Sequence, residues 1–350
     1  MILHRVRLQL CGYALFVCLG LVTQAFLPLL AFADILVTQQ RPYGKEIHRL
    51  QAEAAAFAAA EVEAYERAAL FISQRLLHQK TSEAEAPDMR LRLRGMARML
   101  YSGKISEKKV SQSETGHMAT VTLTLTPQKK QAELLKDALV RQDLIEMYSA
   151  GAEYQTRLLT CYDKAAEMLY GRNMRDSGGK KTAHELEYVV GQMRSMQKVF
   201  PLIAAYGYNL PAPGNIRGQM AETERHTPGN PLVGCALAEY ALQDDDSFTA
   251  MKIAAKAIAT LPGYARVHNV MGTTLLKRFL PKKALQSFTT AVSLSPHNPV
   301  YYRHRAMARL VLHDTDLCSD VEKACALGDC AMLEWTISAG KCGGKQTSLK

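Results

Sequence analysis

PGYARVHNVMGTTLLKRFLPKKALQSFTTAVSLSP, residues 262–296, opens and closes on a proline. Pro228 lies 34 residues before Pro262, and Pro296 lies 34 after it. A fixed period of that length marks a chain built from stacked supersecondary units. Small residues, Gly272 and Ala284, sit where two antiparallel helices must cross closely. Phe288 is large and fills the gap between neighbouring hairpins. Each hairpin carries apolar surface that it cannot bury alone, so the copies must stack.

Met271-Gly272, Leu275, Ala284, Phe288, Ala291 and Pro296 together resemble the tetratricopeptide repeat (TPR), with His268 where that family often has Trp. The preceding copy has Leu237-Ala238, Ala250, Ala254, Ala257 and Pro262; the following one has Tyr302, Ala306, Cys318, Glu322 and Cys325, with Gly328 in place of the proline. The resemblance covers residues 228–330 and implies about three repeats over 231–330. It also implies that the first helix of each hairpin lines a concave face. The groove positions then fall on Arg266, Asn269, Thr273 and Lys277 in the middle copy, and on Arg303 and Met307 in the third. Three cations there favour an acidic segment or a C-terminal carboxylate of a protein or peptide partner. The alternative is ordinary surface.

The run Asp320-Val321-Glu322-Lys323-Ala324-Cys325-Ala326-Leu327-Gly328-Asp329-Cys330 is similar to the terminal repeat of exported bacterial TPR proteins, which leads into one capping helix. Here that helix spans about 331–338 and holds Trp335, the only tryptophan; residues 331–350 are cap and tail. A second helix over 316–327 with an antiparallel cap brings Cys330 beside Cys325 and Cys342 beside Cys318. Cys318 and Cys325, about 10 Å apart along one helix, are too distant to bridge each other. Two staples at the exposed end of the array are one reading; buried free thiols at small core positions are the other.

Residues 1–33 set the expected compartment. His4, Arg5 and Arg7 precede an uncharged run from Leu8 to Ala33 that ends Ala31-Phe32-Ala33, the order of a secretory signal peptide cleaved before Asp34. The run is long enough that an uncleaved N-terminal membrane anchor stays open. Val17 before Cys18 argues against a lipid anchor. The chain carries a formal net charge of +10; the part after Ala33 keeps 41 basic and 33 acidic residues and six cysteines, an even set that an oxidising compartment readily pairs.

With 350 residues, 48% hydrophobic but only 7% aromatic, the composition favours helices packed on helices in about two domains. The expected fold class is mainly α: a C-terminal TPR hairpin array, an α-α superhelix, behind a small N-terminal α+β module over 45–126. Residues 34–46 read as a leader without periodicity. Residues 47–79 read as one Ala-rich helix, and a shorter helix follows from Asp88 to Leu100. Alternation of Ala119, Val121, Leu123 and Leu125 with threonines gives a strand over 118–126, paired with 104–113 through a turn at Thr115-Gly116. This order loosely resembles an N-terminal module of bacterial envelope proteins, the LPP20-like lipoproteins and the flagellar assembly protein T. Residues 128–206 read as a helical middle region interrupted by a loop over 171–182, and the Pro/Gly-dense 207–230 as a linker.

Catalytic patterns fail on spacing. Gly178-Gly179-Lys180-Lys181-Thr182 lacks the glycine pattern of a phosphate loop and reads as a flexible basic loop. No His-Glu-x-x-His or Gly-x-Ser-x-Gly occurs, the histidines are scattered, and the late cysteines are not spaced as zinc ligands. No enzyme activity, metal, cofactor or nucleic-acid partner is therefore expected. The basic row Arg90, Arg92, Arg94, Arg98, Lys104, Lys108 and Lys109 reads as a solvated face, with a contact to anionic lipid headgroups or cell-wall polymer as its alternative. The expected function is partner binding by the array, as in envelope scaffolds; in the rival reading the N-terminal module binds and the repeats only buttress it.

Overall fold

Val37 faces a helix and Leu36 faces solvent, an alternation that makes residues 35–43 a strand and not a leader. In the computed structural model, which describes residues 34–76, 87–113, 116–129, 141–170, 177–207 and 215–342, β1 (Ile35–Tyr43) pairs antiparallel with β3 (Gly116–Pro127), Val37 opposite Leu123. β2 (Tyr101–Ser113) pairs with the other edge of β3, giving the order β1-β3-β2. The expected hairpin is thus a three-stranded sheet, and β1 supplies the third strand that an isolated hairpin needs. Pro42 is tolerated because β1 is an edge strand. The segment 1–33 expected to be a signal peptide and the turn at 114–115 lie outside the described residues.

Helix α1 (Arg49–Leu76) covers the inner face of β1 and β3. Ala52, Ala55, Ala56, Ala59 and Ala60 are buried there, and small side chains let the helix lie close. Helices α2 (Pro87–Leu100), α3 (Gln142–Tyr170) and α4 (Ser177–Gly207) pack behind it. Residues 130–140, expected to be helical, are outside the described residues. The expected basic loop is corrected: residues 177–182 form the first turns of α4, where Thr182 Oγ1 donates to the Gly178 carbonyl at 3.0 Å. Ala183 and Leu186 of those turns line a cleft with His48 and Gln51 at the start of α1, and that packing outweighs the poor helix propensity of glycine.

The basic row is corrected too. Arg94 and Arg98 are buried. Arg90 and Arg94 bond Glu66 of α1 at 2.6 and 3.2 Å, and Arg92 bonds Gln142 of α3 at 2.6 Å. Arg92, Arg94 and Arg98 thus join helices instead of forming a solvated face, whereas Arg90, Lys104, Lys108 and Lys109 are exposed as that reading expects.

The segment read as a linker holds helix α5 (Ile216–His226), capped by Asn215, whose side chain accepts from Gly218 N. Gln192 and Tyr188 of α4 both bond the Pro228 carbonyl, at 2.9 and 3.3 Å. One apolar cluster runs from Val37 to Val270, across the segment. The protein is therefore mainly α, and its small sheet, helical middle and repeats share one core through the first hairpin and into the second.

The array follows: α6 (Pro231–Gln243) with α7 (Ser247–Thr260), α8 (Ala265–Lys277) with α9 (Pro281–Leu294), α10 (Pro299–Leu312) with α11 (Leu317–Ala326), then the cap α12 (Ala331–Ser338). The 34-residue register is visible in the backbone. Asn230, Tyr264 and Asn298 are the N-caps of the first helices. Asp245, Phe279 and His313, at the turn of each hairpin, have φ of 61°, 58° and 55°. His268 departs from Trp yet keeps a function of its own. Its Nε2–H donates to the Pro262 carbonyl at 2.8 Å, as Tyr302 OH does to Pro296 at 3.2 Å. A Cβ on Gly272 would lie 2.5 Å from the Phe288 ring, which accounts for glycine there.

Gly151 of α3 is as closely approached, since its added Cβ would meet Phe200 at 2.5 Å and Leu232 at 3.4 Å, whereas one on Gly191 would meet nothing nearer than 3.8 Å. Gly151→Ala should lower unfolding free energy by about 1–3 kcal/mol through overpacking. Gly191→Ala should raise it by up to about 1 kcal/mol through helix propensity. Urea unfolding of the two variants checks both signs.

Candidate functional site: the inner face of the array

The first helices α6, α8 and α10 lie side by side, and their shared inner face is the candidate site. In the first hairpin that face is spent on the core: Leu232 and Cys235 are buried, and Leu232 closes over Gly151 of α3. Helix α3 reaches the later hairpins as well. Tyr301 OH donates to Glu146 Oε1 at 2.5 Å, and Asn298 Nδ2 donates to Oε2 at 3.3 Å. Loss of solvent around Glu146 pushes its carboxyl pKa up, against those two hydrogen bonds.

Arg266 meets Glu239 of α6 with two bonds, Nε to Oε1 at 2.8 Å and Nη2 to Oε2 at 3.0 Å, and Tyr206 OH of α4 donates to the same carboxylate. Asn269 is buried and accepts from the His304 Nδ1–H at 2.8 Å; Thr273 Oγ1 donates to the Asn269 carbonyl at 3.1 Å. Lys277 Nζ reaches the Leu242 carbonyl at 2.9 Å and Asp245 at 2.5 Å. Arg303 bonds Asp329, which follows α11, at 2.6 Å. Met307 is 45% exposed and Val311, one turn further on, 58% exposed.

The three groove cations therefore each hold a carboxylate of this chain, and that changes what the face can offer. The pairs differ in accessibility. Arg266 and Glu239 side chains are 20% and 17% exposed, a fixed structural pair, whereas Asp245 opposite Lys277 is 88% exposed. An exposed single-bonded pair contributes little and exchanges readily. Glu239 was findable from sequence, because it stands 34 residues before Thr273 and so occupies the same register position. Glu146 had no such signal, since nothing local ties residue 146 to residue 301.

At the far end, Cys318 and Cys342 stand at disulfide distance with Cα atoms 5.5 Å apart, and Cys325 and Cys330 with Cα atoms 4.0 Å apart. Cys318 and Cys325 occupy the register positions of Ala284 and Ala291, small sites at a helix crossing. The even set is not fully paired: Cys161 is exposed and unpaired on α3, and Cys235 is buried and unpaired on α6, its thiol pKa pushed well up by burial. Among the described residues no group of three His, Cys, Asp or Glu side chains is arranged for a metal ion, and no helix is long and apolar enough to cross a membrane.

No family model matches the chain, and no curated protein matches it, so the loose N-terminal resemblance to envelope modules finds no support. A solved structure of MamA (AMB-1) aligns with 51% of this chain and 97% of its own, at 17% identity and a TM-score of 0.30, a similarity that carries no argument. The class is defined by the fold itself: a helical-repeat protein with an N-terminal three-stranded sheet.

His304 couples this face to pH. Its ring lies 5.8 Å from that of Phe288, and burial, with Arg303 nearby, pushes its pKa down to about 4. A depressed folded-state pKa gives a contribution that is complete above about 6.5 and is lost as pH falls toward 4. The stability difference between wild type and His304→Gln should therefore shrink across that window by at most about 3 kcal/mol. Chemical unfolding at several pH values measures it, and comparing the two proteins cancels the other titrating groups.

Proposed function

We propose that this chain is an exported helical-repeat protein whose later hairpins bind a protein partner on their inner face, in a scaffold or assembly role in the cell envelope. The observation that carries the reading is the uncovered apolar step Met307–Val311 on α10, on a helix whose other side is packed in the array. Thr273, Lys277 and Arg303 border it. Lys277 can exchange the exposed Asp245 for an acidic group of the partner at little cost. Arg266 and Asn269 hold neighbouring helices together and shape the face without offering free groups.

Met307→Glu combined with Val311→Glu should weaken capture of native cross-linked partners by about tenfold or more, since two apolar contacts of roughly 1 kcal/mol each are lost. Thermal unfolding should be unchanged, because both side chains are exposed. Capture that survives the double variant would move the binding site to the N-terminal module and leave the repeats as a buttress.

The two cysteine pairs support export to an oxidising compartment, the environment in which such bridges persist. Non-reducing peptide mapping of protein taken from the envelope should recover 318 linked to 342 and 325 linked to 330. Four free thiols in those peptides would remove the support for export and leave the cysteines as packing.

A further inference from the structure

The turn from α8 to α9, Lys277-Arg278-Phe279-Leu280-Pro281-Lys282-Lys283, does not follow the rule of its neighbours. Phe279 has φ of 58°, a left-handed backbone that disfavours a bulky side chain, and its side chain is 91% exposed. The equivalent residues of the adjoining hairpins, Asp245 and His313, are of the polar kind that tolerates this conformation. Leu280 beside it is 40% exposed. Nothing in the packing of the array calls for an aromatic ring here, and glycine would fit the backbone better.

The charges around the ring are as unusual. Arg278, Lys282 and Lys283 are exposed and take part in no ion pair among the described residues. Of the carboxylates of the flanking turns, Asp244 is matched by Arg217 and Asp245 by Lys277, while Asp314 and Asp316 share Arg309, which also bonds Asp320. Asp246 caps α7 by accepting from Thr249 N at 3.0 Å. The three cations of this turn therefore exceed the unmatched carboxylates of its neighbours, Asp246 and one of Asp314 and Asp316, and they flank two exposed apolar side chains.

We propose that this turn docks the protein on an anionic lipid bilayer, with Phe279 and Leu280 entering the interface and Arg278, Lys282 and Lys283 meeting the headgroup phosphates. An acidic protein is the other occupant such a charge pattern admits. It is the less favoured occupant, because a bilayer interface accepts a protruding aromatic residue with basic flanks and needs no pocket built to match the ring. The site lies at the hairpin turn, uses none of the partner-face residues except the flanking Lys277, and stands whether or not a partner binds on the inner face.

The test is cosedimentation of the full chain with vesicles of phosphatidylcholine alone and of phosphatidylcholine mixed with phosphatidylglycerol, together with amide hydrogen exchange of residues 277–283 on the vesicles. The wild type should bind the anionic vesicles about tenfold or more tightly, less so at high salt, with slowed exchange in the turn. Phe279→Gly removes the ring and relieves the positive φ, so it should unfold at the same or a higher temperature while losing most of the anionic binding and the protection. Arg278→Glu with Lys282→Glu should abolish the preference for anionic vesicles. Equal binding to both vesicle types, unprotected amides in the turn of the bound protein, or wild-type affinity in Phe279→Gly would overturn the proposal. Capture of an acidic protein by this turn without vesicle binding would overturn it as well.

Discussion

Arg98 is the contact through which four helices become one body. Its guanidinium lies 4.1 Å from the ring centre of Tyr65 on α1 and 3.7 Å from that of Phe200 on α4. One of its nitrogens donates to Gln155 Oε1 of α3 at 2.5 Å, Gln155 Nε2 donates to Glu61 Oε2 of α1 at 2.5 Å, and Glu61 stands 3.7 Å from Arg98 itself. A charge this deep is tolerated because two rings, an amide and a carboxylate surround it, although its Nε is left without a hydrogen-bond partner. Removing one partner strands the rest, a loss of about 3–5 kcal/mol for a buried pair. The same Phe200 ring fills the space left by Gly151, and Leu232 of the first repeat helix closes the other side. The array thus begins inside the core that Arg98 organises and is not an appendage to it.

What could be read in the sequence was whatever repeats. Pro228, Pro262 and Pro296, the small pair Gly272 and Ala284, and Phe288 recur or fit at fixed offsets, and the hairpins follow from them. The alternation in 118–126 likewise gave β3, whose pattern is local. The misreadings share a cause. β1 is a strand only because β3 lies beside it, Arg94 and Arg98 turn inward only because Glu66 and Glu61 wait there, and residues 177–182 are helical only because α1 packs near them. Each depends on a residue far along the chain. The candidate face shows the same division: Arg266 and Lys277 were identifiable as inner-face positions, but the carboxylates that hold them belong to other helices.

The inner face is consequently shorter than a count of repeats suggests. The first hairpin spends its groove on α3 and α4, the second shares its groove with Glu239 and Tyr206, and only the third presents unoccupied apolar surface. Pairing within the chain also keeps the basic composition from producing a uniformly basic face, and the α8–α9 turn is one place where exposed cations stand without a carboxylate.

Toward the C-terminus the single core gives way to three small clusters, each drawn from neighbouring helices of the later hairpins and the cap. In mechanical terms, a pull on the C-terminus would meet a zipper before it met a body, since nearest-neighbour units of this kind peel one at a time. The span between Cys318 and Cys342 holds α11 and α12 within a 24-residue loop. With that bridge closed, the force bypasses the loop and about 80 Å of extended chain stays out of reach. The cysteines then act as a length limiter: tension arrives directly at α10, and the cap stays folded around a polypeptide that carries no load.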